Sequence, residues 1–279
     1  MHTKSTEINL LTPASKLPLY NKRILVTAPR NYAYRLSEQI IKKGGLPVLM
    51  PTIETCYLSN YSQLDTALGH IKEFDWILFT SRNGIAAFFQ RMNDLNIPVS
   101  ALENCQLCAL GKDSESLLSF FGKVDLIPRE SSPAGIVAEL RKIPQIHEKT
   151  VLIPAPEVVG LPEPDVVPNL ITDLQNLGIK VTRVPTYITQ GLDKNIYGIE
   201  LNLIRQRRID VIAFSSTVEI ESFLRMVNSP RDYEHCVIAC FGPYTTANAQ
   251  KLAVNVSIVS QDYSSFEGFA EAIATFFSF

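Results

Sequence analysis

Two segments, Asp75-Trp-Ile-Leu-Phe-Thr-Ser81 and Asp210-Val-Ile-Ala-Phe-Ser-Ser216, are near copies of each other and lie about 135 residues apart. Each is an apolar run that begins with an aspartate and ends in hydroxyl side chains. Short uninterrupted apolar runs are typical of strands buried on both faces of a parallel sheet. A helical stretch follows each copy. The two segments therefore predict a β/α unit that occurs twice.

Further matched pairs occur in the same order along the chain. They are Lys22-Arg-Ile-Leu-Val-Thr-Ala-Pro29 with Lys149-Thr-Val-Leu-Ile-Pro-Ala-Pro156, residues 45–52 with residues 178–186, and residues 105–111 with residues 236–242. Each copy then reaches a Ser-Ser pair that predicts a helix start, at Ser131-Ser132 and Ser264-Ser265. Strands that alternate with helices in this way predict an α/β fold of two similar doubly wound parallel-sheet domains. We expect the functional site in the cleft between them.

Length and composition agree with two compact domains. The chain has 279 residues, of which 46% are hydrophobic and 19% are charged. A net charge of −2 argues against a broad basic surface for nucleic acid or anionic lipid. No apolar run approaches the ~18 residues of a membrane span, and the first twenty residues lack the apolar core of a signal peptide. These features predict a cytoplasmic protein with neither a nucleic-acid nor a membrane partner.

The five cysteines are odd in number, which favours a reducing compartment. Cys105 and Cys108 form a CxxC pair on a predicted strand, with no second pair and no neighbouring histidine. Core thiols are the better interpretation of this pair, and we predict no metal site.

Hydroxyl-bearing helix starts follow the strands of both copies. In open α/β sheets ligands bind at the carboxyl ends of the strands, where helix N-termini offer unpaired N–H groups to anions. Each hydroxyl could alternatively be a helix cap and nothing more. The candidate substrate-binding residues in these segments are Ser81, Arg82, Asn83, Ser114, Ser216 and Thr245.

Common catalytic motifs are missing from the sequence. There is no GxGxxG, GxxxxGK[ST], GxSxG or HExxH pattern, so nucleotide, serine-hydrolase and zinc-protease functions lose their best support. A nucleotide-dependent enzyme with an unfamiliar phosphate loop is the weakest alternative. A hinge-type protein that closes two lobes on a small anion, without catalysis, is the stronger one.

The chain resembles uroporphyrinogen-III synthases from about Lys22 to its C-terminus. The residues that carry the resemblance are Phe79-Thr-Ser-Arg-Asn-Gly84, Phe241-Gly-Pro-Tyr-Thr-Thr-Ala247 and the segment 178–187, together with the repeat itself. The resemblance implies a lyase that needs no cofactor. It would cyclise the linear tetrapyrrole hydroxymethylbilane to uroporphyrinogen III, with inversion of the last pyrrole ring and loss of water, in porphyrin and heme biosynthesis. It also implies a monomer.

The resemblance further implies which segments fold together. The first β/α unit would join the C-terminal half, so that residues 1–52 and 190–279 form one domain and residues 55–186 form the other. Extended linkers would lie near residues 51–55 and 185–189.

Site residues carry over from the resemblance one by one. Tyr187 matches the family's tyrosine that faces the cleft, and it is the catalytic candidate because a phenol can protonate a departing hydroxyl at neutral pH. A ring that only packs a linker is the alternative. Ser114 replaces a usual threonine and keeps the hydroxyl. The family's first-strand arginine is either Arg30 or absent, and the stiff acidic loop 154–164 departs from the family pattern.

Overall fold

The computed structural model describes residues 14–278. Residues 1–13 lie outside the described residues. They make up most of the first twenty residues, in which no signal-peptide core is predicted. Among the described residues, no helix is long and apolar enough to cross a membrane.

The described residues form ten strands, ten α-helices and six short 3₁₀ helices, joined by turns and loops. The strands are β1 Arg23–Val26, β2 Leu46–Leu49, β3 Ile53–Cys56, β4 Trp76–Phe79, β5 Gln106–Ala109, β6 Thr150–Val159, β7 Lys180–Gly191, β8 Val211–Phe214, β9 Val237–Cys240 and β10 Ile258–Val259. The helices are α1 Arg30–Lys42, α2 Ser62–Gly69, α3 Arg82–Asp94, α4 Asp113–Phe121, α5 Pro133–Leu140, α6 Val166–Asn176, α7 Gly198–Arg205, α8 Thr217–Met226, α9 Pro243–Lys251 and α10 Phe266–Phe276.

The α/β fold with parallel sheets is confirmed, and each sheet draws strands from both sequence copies. One sheet has the order β10-β9-β8-β1-β2, and the other has the order β3-β7-β6-β4-β5. All pairs are parallel except β3 with β7. The first β/α unit of copy one thus lies beside the last strands of copy two, and the converse holds in the other sheet.

Contacts divide the chain into two compact units. Among the described residues, the first unit contains the chain up to Pro51, Asp193–Ser216 and the chain from Phe223 onward, and the second contains Thr52–Leu192 and Thr217–Ser222. Thr52, residues 190–192 and the segment Thr217–Ser222 differ from the predicted domain limits, which place them in the first domain. The position of Thr217–Ser222 has a local cause, because Ser222 Oγ donates to the carbonyl of Thr52 at 2.6 Å. That the two units enclose one site stays a prediction.

A β-bulge interrupts the long β6–β7 pair. Ala155 is opposite Pro185, but Pro156 is opposite Tyr187, so Thr186 is an extra residue on β7. Proline cannot donate a hydrogen bond to the ladder, and strand prolines are found at edges or bulges for that reason. A bulge redirects the side chains that follow it, and here the next side chain is Tyr187.

Asp75 joins the amino-terminal ends of β4 and β6. Its carboxylate accepts hydrogen bonds from the backbone N–H of Thr150 at 2.8 Å and from Lys149 Nζ at 2.9 Å. Desolvation would raise the pKa of Asp75, but the bonds from Thr150 and Lys149 outweigh it and the pKa is lowered. The carboxylate therefore stabilises the second unit when it is ionised.

We predict that Asp75→Asn lowers the free energy of unfolding by about 1 kcal/mol at pH 7. Because the folded pKa lies below the unfolded value of about 3.9, this stability is present above pH ~3.9 and is lost as the pH falls through the folded pKa. Denaturant unfolding of both proteins between pH 3 and pH 8 measures the effect. Asp173→Asn, on the exposed face of α6, is the control. An equal loss at every pH would contradict the prediction.

Candidate functional site

Tyr187 and Ser81 are brought together at the carboxyl edge of the second unit's sheet. Ser81 follows β4 and is the N-cap of α3, where its Oγ accepts a hydrogen bond from the N–H of Gly84 at 3.1 Å. The same Oγ lies 3.2 Å from the hydroxyl oxygen of Tyr187, and either oxygen can be the donor. The predicted catalytic residue and one predicted binding residue are therefore in direct contact.

The Tyr187 side chain is buried, with 8% of the residue exposed. Burial raises the pKa of its phenol, and the negative charge of Asp113 adds to that rise, whereas the hydrogen bond with Ser81 lowers it. The net direction is upward, so the phenol keeps its proton throughout the neutral range. A protonated phenol can act as a proton donor.

Arg82 links the start of α3 to the start of α4. Its Nε lies 3.3 Å from Asp113 Oδ1, and its Nη2 donates to the carbonyl of Lys112 at 3.4 Å. Asp113 was not among the site residues predicted from the sequence. The sequence places Asp113 at a helix start after β5. That it pairs with Arg82 could not be predicted, because the pair forms only when β4 and β5 are neighbours in the sheet.

Two other predicted residues of this unit have different surroundings. Asn83 is the second residue of α3 and is half-buried. Ser114 is buried, and its hydroxyl donates to the carbonyl of Gly111 at 2.7 Å. The Ser114 hydroxyl thus holds the turn that follows β5, and its oxygen retains the capacity to accept a bond.

The remaining predicted residues belong to the first unit. Arg30 begins α1 after β1 and is exposed, Ser216 follows β8, and Thr245 is buried in the first turn of α9 after β9. All three follow parallel strands of one sheet, so they share its carboxyl edge. Each unit therefore has its own set of hydroxyls and helix N-termini at the sheet edge where ligands bind in this class of fold.

Comparison with known proteins identifies the family. Residues 34–269 match the family described as Uroporphyrinogen-III synthase HemD. The chain belongs to the uroporphyrinogen-III synthase family. Uroporphyrinogen-III synthases are cyclising enzymes of the lyase type, and the resemblance noted in the sequence is confirmed.

Named relatives lie at moderate sequence distance. The chain is 28% identical to the porphyrin biosynthesis protein HemD of Ruminiclostridium josui over 85% of this chain, but it spans only 45% of that protein. It is 27% identical to the uroporphyrinogen-III synthase of Synechococcus elongatus, over 88% of this chain and 92% of the relative.

A solved uroporphyrinogen III synthase has the same fold. A mutant of the Thermus thermophilus enzyme superposes with a TM-score of 0.64, at 16% identity, over 91% of this chain and 99% of the other. At that identity the likeness concerns the fold alone.

The CxxC pair lies in the core of this synthase-family chain. Cys105 Sγ donates to the carbonyls of Ile71 and Phe74, and burial raises its pKa. Burial also raises the pKa of Cys108 to about 12. Neither sulfur is a thiolate at neutral pH, which is the form that binds metals or attacks disulfides.

Ser81 has two contacts that a matched pair of variants can separate. We predict that Ser81→Ala and Ser132→Ala each lower the free energy of unfolding by about 1 kcal/mol, because each serine caps a helix through its Oγ. Only Ser81 also contacts Tyr187, so only Ser81→Ala should lower enzymatic turnover. Denaturant unfolding and steady-state kinetics measure both effects. Equal loss of turnover in the two variants would mean that the contact with Tyr187 has no part in catalysis.

Proposed function

We propose that this protein cyclises hydroxymethylbilane to uroporphyrinogen III, with inversion of the last pyrrole ring and loss of water. The observation that carries the proposal is the match to the synthase family over residues 34–269. The contact between Tyr187 and Ser81 at a sheet edge supports it from the residues themselves. We propose Tyr187 as the catalytic residue.

In the proposed reaction Tyr187 assists the departure of the substrate's hydroxyl. The phenol donates its proton to the hydroxymethyl oxygen, the carbon–oxygen bond breaks, and its electron pair leaves with water. Loss of water leaves an azafulvenium cation, and the substituted α-carbon of the last pyrrole attacks it to form a spiro intermediate. The bond from that α-carbon to the neighbouring methylene bridge then breaks, the ring turns over, and its free α-carbon joins the released bridge and loses a proton. These later steps need confinement and orientation more than a strong base. The proton lost on ring closure balances the one that the phenol gave.

The binding residues predicted from the sequence would hold the substrate carboxylates. Ser81, Arg82 and Asn83 lie at the start of α3, and helix N-termini with free N–H groups favour anions. We propose the same role for Ser114, Arg30, Ser216 and Thr245 at the other helix starts. Hydrogen bonds to an ionised group contribute about 1.5–3 kcal/mol each, so a few of them can hold a polycarboxylate on a protein of net charge −2.

Isomer analysis tests the proposed function. The protein is supplied with hydroxymethylbilane, in buffer without added cofactor, and the oxidised products are separated by chromatography. We expect mainly the type III isomer, because the spontaneous reaction closes the ring without inversion and gives type I. Type I alone from a folded sample would refute the proposal. That outcome would favour the alternative of a two-lobed binding protein without catalysis.

We further propose that the protein works as a monomer in the cytoplasm. The five cysteines, an odd number, support a reducing compartment. Light scattering after size exclusion would measure the mass, for which a monomer gives 31.1 kDa.

A further inference from the structure

Two helix starts that follow neighbouring strands are joined by an ion pair between Arg82 and Asp113. Arg82 is the first residue of α3, and Asp113 is the first residue of α4. The guanidinium belongs to the residue next to Ser81, whose hydroxyl contacts Tyr187. Asp113 thus places a carboxylate on the arginine that follows Ser81, the residue in contact with the proposed proton donor.

The ion pair is loosely formed. Arg82 Nε is 3.3 Å from Asp113 Oδ1, yet this buried nitrogen makes no hydrogen bond with the described residues. The bond from Nη2 to the carbonyl of Lys112 is long, at 3.4 Å. Over a third of the Arg82 side chain (37%) and 28% of the Asp113 side chain are exposed, so part of each is open to a dissolved carboxylate. An arginine binds a carboxylate best through two parallel hydrogen bonds, a geometry that Asp113 does not provide.

We propose that Asp113 competes with the substrate for Arg82: it occupies the guanidinium in the ligand-free protein and is replaced there by a carboxylate of the substrate. The proposal rests on the proposed function, because it takes the substrate to be a polycarboxylate. The exchange lowers the affinity of every anion that binds through Arg82 by the same factor, because the same ion pair must open for each.

Asp113 also affects the proton of Tyr187. The negative charge of Asp113 disfavours the phenolate and so raises the pKa of Tyr187. A carboxylate of the substrate at the same place would preserve that effect during the reaction.

The test compares four proteins: the wild type, Asp113→Asn, Arg82→Gln and the double variant. Calorimetry at low ionic strength measures the affinity for benzene-1,2,4,5-tetracarboxylate, an unreactive polycarboxylate. Steady-state kinetics give the KM for hydroxymethylbilane. We expect Asp113→Asn to tighten tetracarboxylate binding about three-fold and to lower KM similarly, the size of one partly exposed ion pair. In the Arg82→Gln background, Asp113→Asn should change neither the affinity for the tetracarboxylate nor the KM.

Glu115→Gln is the matched control, because it removes the same charge from the same turn of α4 at an exposed position. It should leave both quantities unchanged. The proposal is overturned if Asp113→Asn weakens binding or leaves it unchanged, if Glu115→Gln tightens it equally, or if the gain persists without Arg82. Failure of the proposed function is a separate result, because wild-type protein would then give no type III isomer while calorimetry still decides the role of Asp113.

Discussion

Replacing Tyr187 by phenylalanine is expected to lower kcat for uroporphyrinogen III formation by about 100-fold, the usual contribution of one positioned proton donor. The ring, its burial and the packing around it are kept, and only the hydroxyl that lies 3.2 Å from Ser81 Oγ is lost. KM should change little, because the phenol is proposed to act on the departing hydroxyl and not on the substrate carboxylates. Initial rates of type III formation, with the spontaneous type I product subtracted, measure the change.

A second buried tyrosine provides the control for this substitution. Tyr233 lies in the first unit, its ring packs edge-on against Phe223 with centroids 5.3 Å apart, and burial raises its pKa as it does for Tyr187. Tyr233→Phe should leave kcat within a factor of about two, because its ring packs against Phe223 and not against a residue proposed to bind substrate. If Tyr187→Phe were as active as Tyr233→Phe, the phenol proton would have no role, and Tyr187 would be a packing residue.

The element order could be predicted from residues alone, whereas the pairing of strands could not. Apolar runs such as those beginning at Asp75 and Asp210 identify strands because a strand buried on both faces needs a continuous apolar sequence. Nothing in that pattern says which strand lies beside which. The recombination of β1 with β8 was implied only by the family resemblance, and the sheet order displays it.

The site was predictable to the extent that it depends on strand ends. Ser81 was identified because hydroxyls after parallel strands cap helices at the ligand edge. The bulge at Thr186 was not predicted, because it depends on the pairing of Pro185 with the neighbouring strand β6. The pair of Arg82 with Asp113 was also missed, because it joins residues whose distance is set by sheet order and not by sequence spacing.

The duplicated core phenylalanines should have the largest effect on stability. Phe79 ends β4 and Phe214 ends β8, and both are almost fully buried. Each ring meets a helix phenylalanine edge-on, with centroids 5.4 Å apart for Phe79 with Phe88 and 5.3 Å apart for Phe214 with Phe223. Phe79→Ala and Phe214→Ala should each lower the free energy of unfolding by about 3–5 kcal/mol, because each leaves a cavity in a close-packed core.

Hydrogen exchange can show where that stability is lost. Phe79 packs in a core formed within the second unit, so Phe79→Ala should speed exchange most in β4 and β6, whereas Phe214→Ala should act most on β8 and β1. Phe276→Ala, at a position 45% exposed, should change the free energy of unfolding by less than about 0.5 kcal/mol. Equal acceleration throughout both units by either core variant would show that the two cores unfold as one. Because the two phenylalanines occupy equivalent places in the repeat, such a result would mean that the duplication yielded a single cooperative structure.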